Sequence, residues 1–230
     1  MNVLSELRRI MEKISLAYGL YEARYKNYTK LIKTFLNIYL RSKQNILCLD
    51  LGCGDGFFTK ILSRYCDKAV GIDLRAHNSW MISQRENNNF LIADARRIPI
   101  RSVSADLVLI ISLLEHVPNW RYVISEVSRI LKMGGLIIIQ LPNLHSIFEP
   151  HTKLPLISLM PSKVRDLITD LAVHDKLEWD CTVENIISIL EKYGLKIIGV
   201  IPYSYTNTLR IIPNQAYYII AIKTYRNNRP

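Results

Sequence analysis

The chain has 230 residues, 49% of them apolar and 22% charged, with a formal net charge of +10. That length fits one large domain or a domain with appendages, and the apolar content is too high for a disordered chain. No apolar run reaches the roughly 18 residues of a membrane span, and the first segment, "MNVLSELRRIMEKI", breaks its apolar positions with charge, unlike a secretory signal; a soluble cytoplasmic protein is expected.

Residues 1–43 read as an N-terminal helical segment. Leu4, Leu7, Met11, Ile14, Tyr18, Tyr21, Tyr25, Tyr28, Ile32, Phe35 and Tyr39 recur at steps of three and four, which puts them on one stripe. Gly19 favours a bend there. The tyrosines suit packing on the chain's own domain or over a pocket better than a coiled-coil seam. Nine Lys and Arg against three Glu make this segment the most basic part of the chain, so RNA is a possible partner through phosphate neutralisation.

From residue 45 onward, strand and helix patterns alternate. "NILCLDL", "KAVGIDL", "NFLIADA", "ADLVLIIS" and "GLIIIQLP" are strands, apolar on both faces, with helices in "GFFTKILSRYC" and "NWRYVISEVSRILKMGG". In the second helix, Asn119 is placed to cap the start and Gly134-Gly135 to stop the end. This order predicts a parallel sheet covered by helices on both sides, with right-handed crossovers. Residues 143–180 hold no clear strand and read as an insertion. "TVENIISILEKYG" is an amphipathic helix, and "LKIIGVIPYS" and "QAYYIIAIKTY" are two final strands suited to antiparallel pairing. The predicted fold class is α/β, Rossmann-like: a seven-stranded, mostly parallel sheet with an antiparallel last strand, spanning residues 44–230 behind the helical appendage.

The first strand ends in "LDLGCGDG", where Gly52, Gly54 and Gly56 follow Asp50. Ligands of open parallel sheets bind beyond the carboxyl ends of the strands, and glycines there let the backbone approach them closely. By itself this loop would serve a nicotinamide, a flavin, a nucleotide or S-adenosylmethionine. The acids narrow the choice. Asp73 ends the second strand, where a carboxylate accepts from the hydroxyls of a ribose; Asp94 ends the third, within reach of an adenine amino group; Asp50 suits an ammonium group. A loop flanked by Asp50 and Asp55 is poor for a pyrophosphate and good for a sulfonium compound with an amino-acid tail.

"LDLGCGDG", "GIDL", "ADARRIPI", "ADLVLIISLLEHVPN" and "ILKMGGLIIIQLPN" together resemble the successive motifs of the class I S-adenosylmethionine-dependent methyltransferases, in the order of that family, over residues 45 to 142. They are most similar to the subgroup that includes quinone-biosynthesis and other small-molecule enzymes. The resemblance implies S-adenosylmethionine as cofactor and S-adenosylhomocysteine as product. It implies that Asp50, Gly52, Cys53 and Gly54 line the methionine moiety and that Gly56 allows the turn. Asp73 would take the ribose with Leu74 beside it, Asp94 and Ala95 would face the adenine, and Ile111 and Ser112 would border the methyl group. The signatures for methylating base amines or pyrimidine carbon are missing, leaving in-line methyl displacement driven by proximity and desolvation. If the acceptor needs a base, His116 in "LLEHVPN" and His151 in "EPHTKLP" are the candidates. The proline-bounded "KLPLISLMP" points to a small or lipid-like acceptor, with RNA methylation or a non-catalytic cofactor-binding subunit as alternatives. Cys48, Cys53, Cys66 and Cys181 lack zinc spacing and the five histidines are scattered, so no metal is expected, and Cys48 reads as a reduced, core cysteine in keeping with a cytoplasmic protein.

Overall fold

The apolar runs pair into a single seven-stranded sheet. The structure, a computed structural model, describes residues 20–40, 43–82, 88–146, 149, 152, 154–173, 176–203 and 215–224. Helix α1 (Leu20–Tyr39) leads into β1 (Leu47–Leu51), α2 (Phe57–Leu62), β2 (Lys68–Asp73), α3 (Asn78–Ile82), β3 (Asn88–Ile92) and β4 (Ala105–Ile111). Next come α4 (Arg121–Ile130), β5 (Leu131–Pro142), α5 (Ser162–Val173), α6 (Val183–Lys192), β6 (Leu195–Tyr203) and β7 (Ala216–Lys223). The strand order is β3-β2-β1-β4-β5-β7-β6. β1 to β5 are parallel to their neighbours, whereas β7 runs antiparallel to both β5 and β6. The order reverses between β1 and β4, which puts the ligand crevice at the carboxyl ends of these two strands.

The two sheet faces bury separate cores, as a parallel sheet with helices on both sides requires. On one face Leu49, Leu51, Val108, Ile110, Ile137 and Ile139 meet Trp120, Val123 and Val127 of the α4 region and Ile186 and Leu190 of α6. On the other, Cys48, Leu107, Leu109 and Ile138 meet Phe58, Ile61 and Leu62 of α2 and Ile32, Leu36 and Leu40 at the end of α1. The basic first segment therefore covers the sheet at its described end. The buried line is Ile32–Leu36–Leu40, while Phe35 and Tyr39 of the predicted stripe sit at its border. The side chains of Tyr18, Tyr21, Tyr25 and Tyr28 lie outside the described residues.

Three local expectations are corrected. α4 starts at Arg121 without a side-chain cap, because Asn119 itself adopts a left-handed turn at φ 58°. The same helix stops at Ile130 rather than at Gly134-Gly135, since Leu131 already pairs with Ala105 in the sheet. The pairing then skips to Leu107 with Leu136, so residues 132–135 bulge outward with Gly134 at φ 71°. Tyr39 at the end of α1 donates to the carbonyl of Gly134, and Lys132 pairs with Asp106 at 2.7 Å. Finally, Cys48 is not a free thiol. It forms a disulfide with Cys66, joining β1 to the turn after α2 and removing the cysteine argument for a reducing compartment.

Thr182 caps α6 as its sequence predicts, accepting from the Asn185 N–H at 3.3 Å, and Gly194 ends that helix region at φ 77°. Among its described residues the insertion holds the helix α5 and a short 3-10 turn at Ile157–Leu159. No helix among the described residues is long and apolar enough to cross a membrane.

Candidate active site

The glycine loop is built by β2 as much as by its own residues. Gly52 and Cys53 both donate backbone N–H groups to the Ile72 carbonyl, at 2.8 and 3.2 Å, and Gly54 donates to Asp73 Oδ2 at 2.9 Å. Gly52 has φ 70° and Gly56 φ 82°, conformations that cost other residues energy. Space excludes a side chain as well. A Cβ at Gly52 would stand 2.8 Å from Leu113 Cδ1, and one at Gly56 would stand 2.7 Å from the Phe90 ring. That ring stacks on Trp80 at 4.8 Å, and the Trp80 indole N–H donates to the Gly54 carbonyl at 2.8 Å. Trp80 and Phe90 thus clamp the loop from β2's side of the sheet, a role that sequence reading missed because neither residue lies in a motif.

A cavity of about 460 Å³ opens beside the loop. Gly52, Asp73, Leu74, Asp94, Ala95 and His116 all line it, so residues from four separate stretches of the chain converge as their motifs predict. Asp73 accepts from the backbone N–H of Gly54 through Oδ2 and of Arg75 through Oδ1, which holds its carboxylate at the rim. Leu74 is 66% exposed and offers an apolar face beside it. His116 sits on a 3-10 turn (Leu114–His116), its Nε2 3.9 Å from the fully buried carboxylate of Glu115. His151 lies outside the described residues.

The other predicted residues are placed differently. Asp50 is 2% exposed and turned beneath the loop, where the Thr59 hydroxyl donates to its Oδ2 at 2.7 Å. Burial raises its pKa to about 7, against the lowering effect of that hydrogen bond. Cys53 is also buried there, and burial pushes its thiol well up, so it acts as packing and not as a nucleophile. Gly54 and Gly56 shape the loop without lining the cavity, and Ile111, the last residue of β4, and Ser112, which follows it, do not line it either. Ser112 adopts φ 47°, unusual for a residue with a side chain, and its hydroxyl donates to Gln140 Oε1 at 2.7 Å.

Asp94 is already engaged. Arg96 grips it bidentately, with Nη2 at 2.6 Å, and reaches across to the Pro118 carbonyl through Nη1 at 3.2 Å. These bonds hold the Asp94 carboxyl below the usual carboxylate range. Arg75, His77, Arg96 and Leu113 also line the cavity and were not anticipated; each directly follows or lies near a motif acid or strand end, the one signal that could have found them.

Residues 49–139 match the family described as Methyltransferase domain. By that match the stretch from β1 into β5 is a methyltransferase domain. Over 82% of its length the chain superposes on an S-adenosylmethionine-dependent methyltransferase from Mesorhizobium loti, covering 95% of that chain with a TM-score of 0.65 and 18% identity. It also superposes on the Burkholderia thailandensis 1,6-didemethyltoxoflavin-N1-methyltransferase, solved with 1,6-didemethyltoxoflavin and S-adenosylhomocysteine. That match covers 96% of this chain and 88% of the other, with a TM-score of 0.62 and 14% identity. In sequence the chain is 29% identical over 132 residues to malonyl-[acyl-carrier protein] O-methyltransferase of Buchnera aphidicola, covering 55% of this chain and 53% of that protein. Against three other curated relatives the matched regions span from 32% to 58% of the relative's length.

Proposed function

We propose that this protein transfers the methyl group of S-adenosylmethionine to a small or lipid-like acceptor. The observation that carries the reading is the convergence of the Gly52 turn, Asp73 and Asp94 on one cavity at the switch point of the sheet. In this reading Asp73 binds the ribose hydroxyls and Leu74 packs beside the adenosine. Asp94 and Ala95 receive the adenine, and Gly52 lets the methionine portion pass close to the backbone. Asp50 acts from below, as a carboxylate whose ionisation the cationic cofactor favours, and Cys53, Gly54 and Gly56 hold the loop in shape. Among the described residues no group of three or more His, Cys, Asp and Glu side chains could hold a metal ion, and the proposed displacement uses none.

S-adenosylmethionine supplies an electrophilic methyl on sulfur. The chain's part is to align an acceptor in line with that bond and to exclude water. In this reading His116, which lines the cavity, takes a proton from an acceptor hydroxyl, and Glu115, 3.9 Å from its Nε2, orients the ring. The small-molecule character of the acceptor draws support from relatives such as the malonyl-[acyl-carrier protein] O-methyltransferase. RNA draws none from the cavity, where Arg75 and Arg96 are balanced by Asp73 and Asp94. Cytoplasmic residence is part of the proposal, and the Cys48–Cys66 disulfide restricts it to cells whose cytosol keeps such bonds oxidised. Isothermal titration with S-adenosylhomocysteine tests the reading. Micromolar binding is expected, with none for NAD; absence of S-adenosylhomocysteine binding would overturn it.

A further inference from the structure

The carboxyl edge of the sheet carries one polar side chain whose bonding is incomplete. Gln140 of β5 is 1% exposed, and its Oε1 receives the Ser112 hydroxyl, yet among the described residues its Nε2 has no hydrogen-bond partner. A buried amide nitrogen without an acceptor is costly, so one in a native chain calls for an explanation, and a ligand that completes its bonding is one. The position of Gln140 says which ligand. Leu136 and Ile138 of β5 belong to the core on the α1 side, and Ile137 and Ile139 to the opposite core. By strand alternation Gln140 therefore faces the α1 side. It pairs with Ile111 on β4 and with Tyr218 on β7, and Tyr218 pairs in turn with Ile201 on β6. Continuing the β1–β4 register of Asp50 with Leu109 brings Gly52 level with Ile111. Gly52, Ile111, Gln140 and Tyr218 thus form a row across the strand ends, with steps of about 5 Å between strands.

We propose that Gln140 is the acceptor-recognising residue of the methyl transfer proposed above, donating from its side-chain amide to an oxygen of a small planar molecule. The cofactor passes Gly52 at one end of the row. One strand further lies Ile111, beside the methyl group, and the next strand brings Gln140 within a hydrogen bond of an acceptor held there. The cross-strand neighbours of Gln140 in this row are Ile111 and Tyr218. Tyr218 stands opposite Gln140, and Tyr203 meets it edge-on at a ring separation of 6.1 Å. Aromatic edges and faces favour a planar partner, and an uncharged amide favours a hydroxyl or carbonyl oxygen over an ionised group. Ser112 holds the amide: its hydroxyl donates to Oε1 and its backbone N–H to the Gln140 carbonyl at 3.2 Å, which leaves the Nε2 hydrogens as the available donors.

The test uses p-cresol as the oxygen-bearing planar probe and toluene as the same shape without oxygen. Each is titrated into the full chain with and without saturating S-adenosylhomocysteine, following the side-chain amide resonances of the 15N-labelled protein. The expected result is a saturable shift of the Gln140 amide by p-cresol, and at least tenfold weaker p-cresol binding in Gln140→Leu. Toluene binding and S-adenosylhomocysteine affinity should stay within twofold, and the melting temperature should hold or rise because an unpartnered donor has been removed. Absence of a p-cresol shift, or equal p-cresol affinity in the variant, overturns the proposal. So does a Gln140→Leu protein that loses stability and both ligands together, which would make the residue structural. Failure of S-adenosylhomocysteine to bind counts against the cofactor reading instead, and the cofactor-free p-cresol titration still decides the role of Gln140.

Discussion

At the scale of single residues, Asp50 and Asp73, near the carboxyl ends of β1 and β2, behave differently. Asp73 stays at the rim and spends its oxygens on the N–H groups of Gly54 and Arg75. Asp73→Ala should weaken S-adenosylhomocysteine binding by about 1.5–3 kcal/mol, the scale of a hydrogen bond to a charged group. Asp73→Asn, which retains an acceptor for the Gly54 N–H, should lose less. Isothermal titration of both variants checks this, and unchanged affinity in the alanine variant would make Asp73 a loop-holding acid only. Asp50 is a stability device with a pH signature. Its folded pKa is raised to about 7, whereas an unfolded Asp ionises near 3.9. Below about pH 4 both states hold the proton. As pH rises from there to about 7 the unfolded chain gives up its proton and the folded one retains it, so stability falls across that window and levels off above it. Asp50→Asn removes this dependence. Urea unfolding at pH 4.5 and 7.5 should show wild type losing stability relative to the variant at the higher pH; parallel behaviour would mean Asp50 ionises normally in the folded protein.

At the scale of elements, the loop after β1 and the disulfide behind it are the two local constraints. Gly56→Ala asks for a left-handed alanine, at about 1–2 kcal/mol, and drives its methyl against the Phe90 ring. The variant should therefore unfold at lower denaturant and weaken the Trp80–Phe90 stack, visible as a change in near-ultraviolet circular dichroism; a variant as stable as wild type would show that the loop has a second conformation. The Cys48–Cys66 bond closes a loop of 18 residues. A cross-link of that span stabilises by about 3 kcal/mol, chiefly by restricting the unfolded chain. Replacing both cysteines by alanine should cost about that much in equilibrium unfolding, and a free-thiol assay on the denatured wild-type chain should find two thiols, from Cys53 and Cys181.

At the scale of the whole molecule, the end of α1 belongs to the packing of the sheet even though its sequence reads as an appendage. Leu36 is fully buried with Leu62, Leu107 and Ile138 in one core. Leu36→Ala should destabilise by about 2–5 kcal/mol, the cost of a cavity plus lost transfer energy, measured by urea unfolding. Deleting residues 1–24 keeps Ile32, Leu36 and Leu40 in place, so the truncated chain should fold and bind S-adenosylhomocysteine; loss of folding would show that the tyrosine-rich stretch is also core.

The alternation of strand and helix, the seven strands and the antiparallel end were legible because the central strands, buried on both faces, must be apolar nearly throughout, while the edge strand β6 alternates. The glycines and Asp73 and Asp94 were legible for a related reason: residues that end strands at the switch point meet in space whatever lies between them. Cys48 with Cys66 was not legible, since their pairing depends on how α2 lies against β1, and spacing carries no such information. Nor was the grip of Arg96 on Asp94, or the burial of Asp50 against Thr59, because both depend on side-chain directions set by neighbouring elements. The N-terminal stripe was readable as helical but not as to its buried face, which the sheet beneath it selected at Ile32, Leu36 and Leu40. Period and composition act locally and determine elements; the row from Gly52 to Gln140 and Tyr218 arises only when four strands come into register, and that is a property of the tertiary structure.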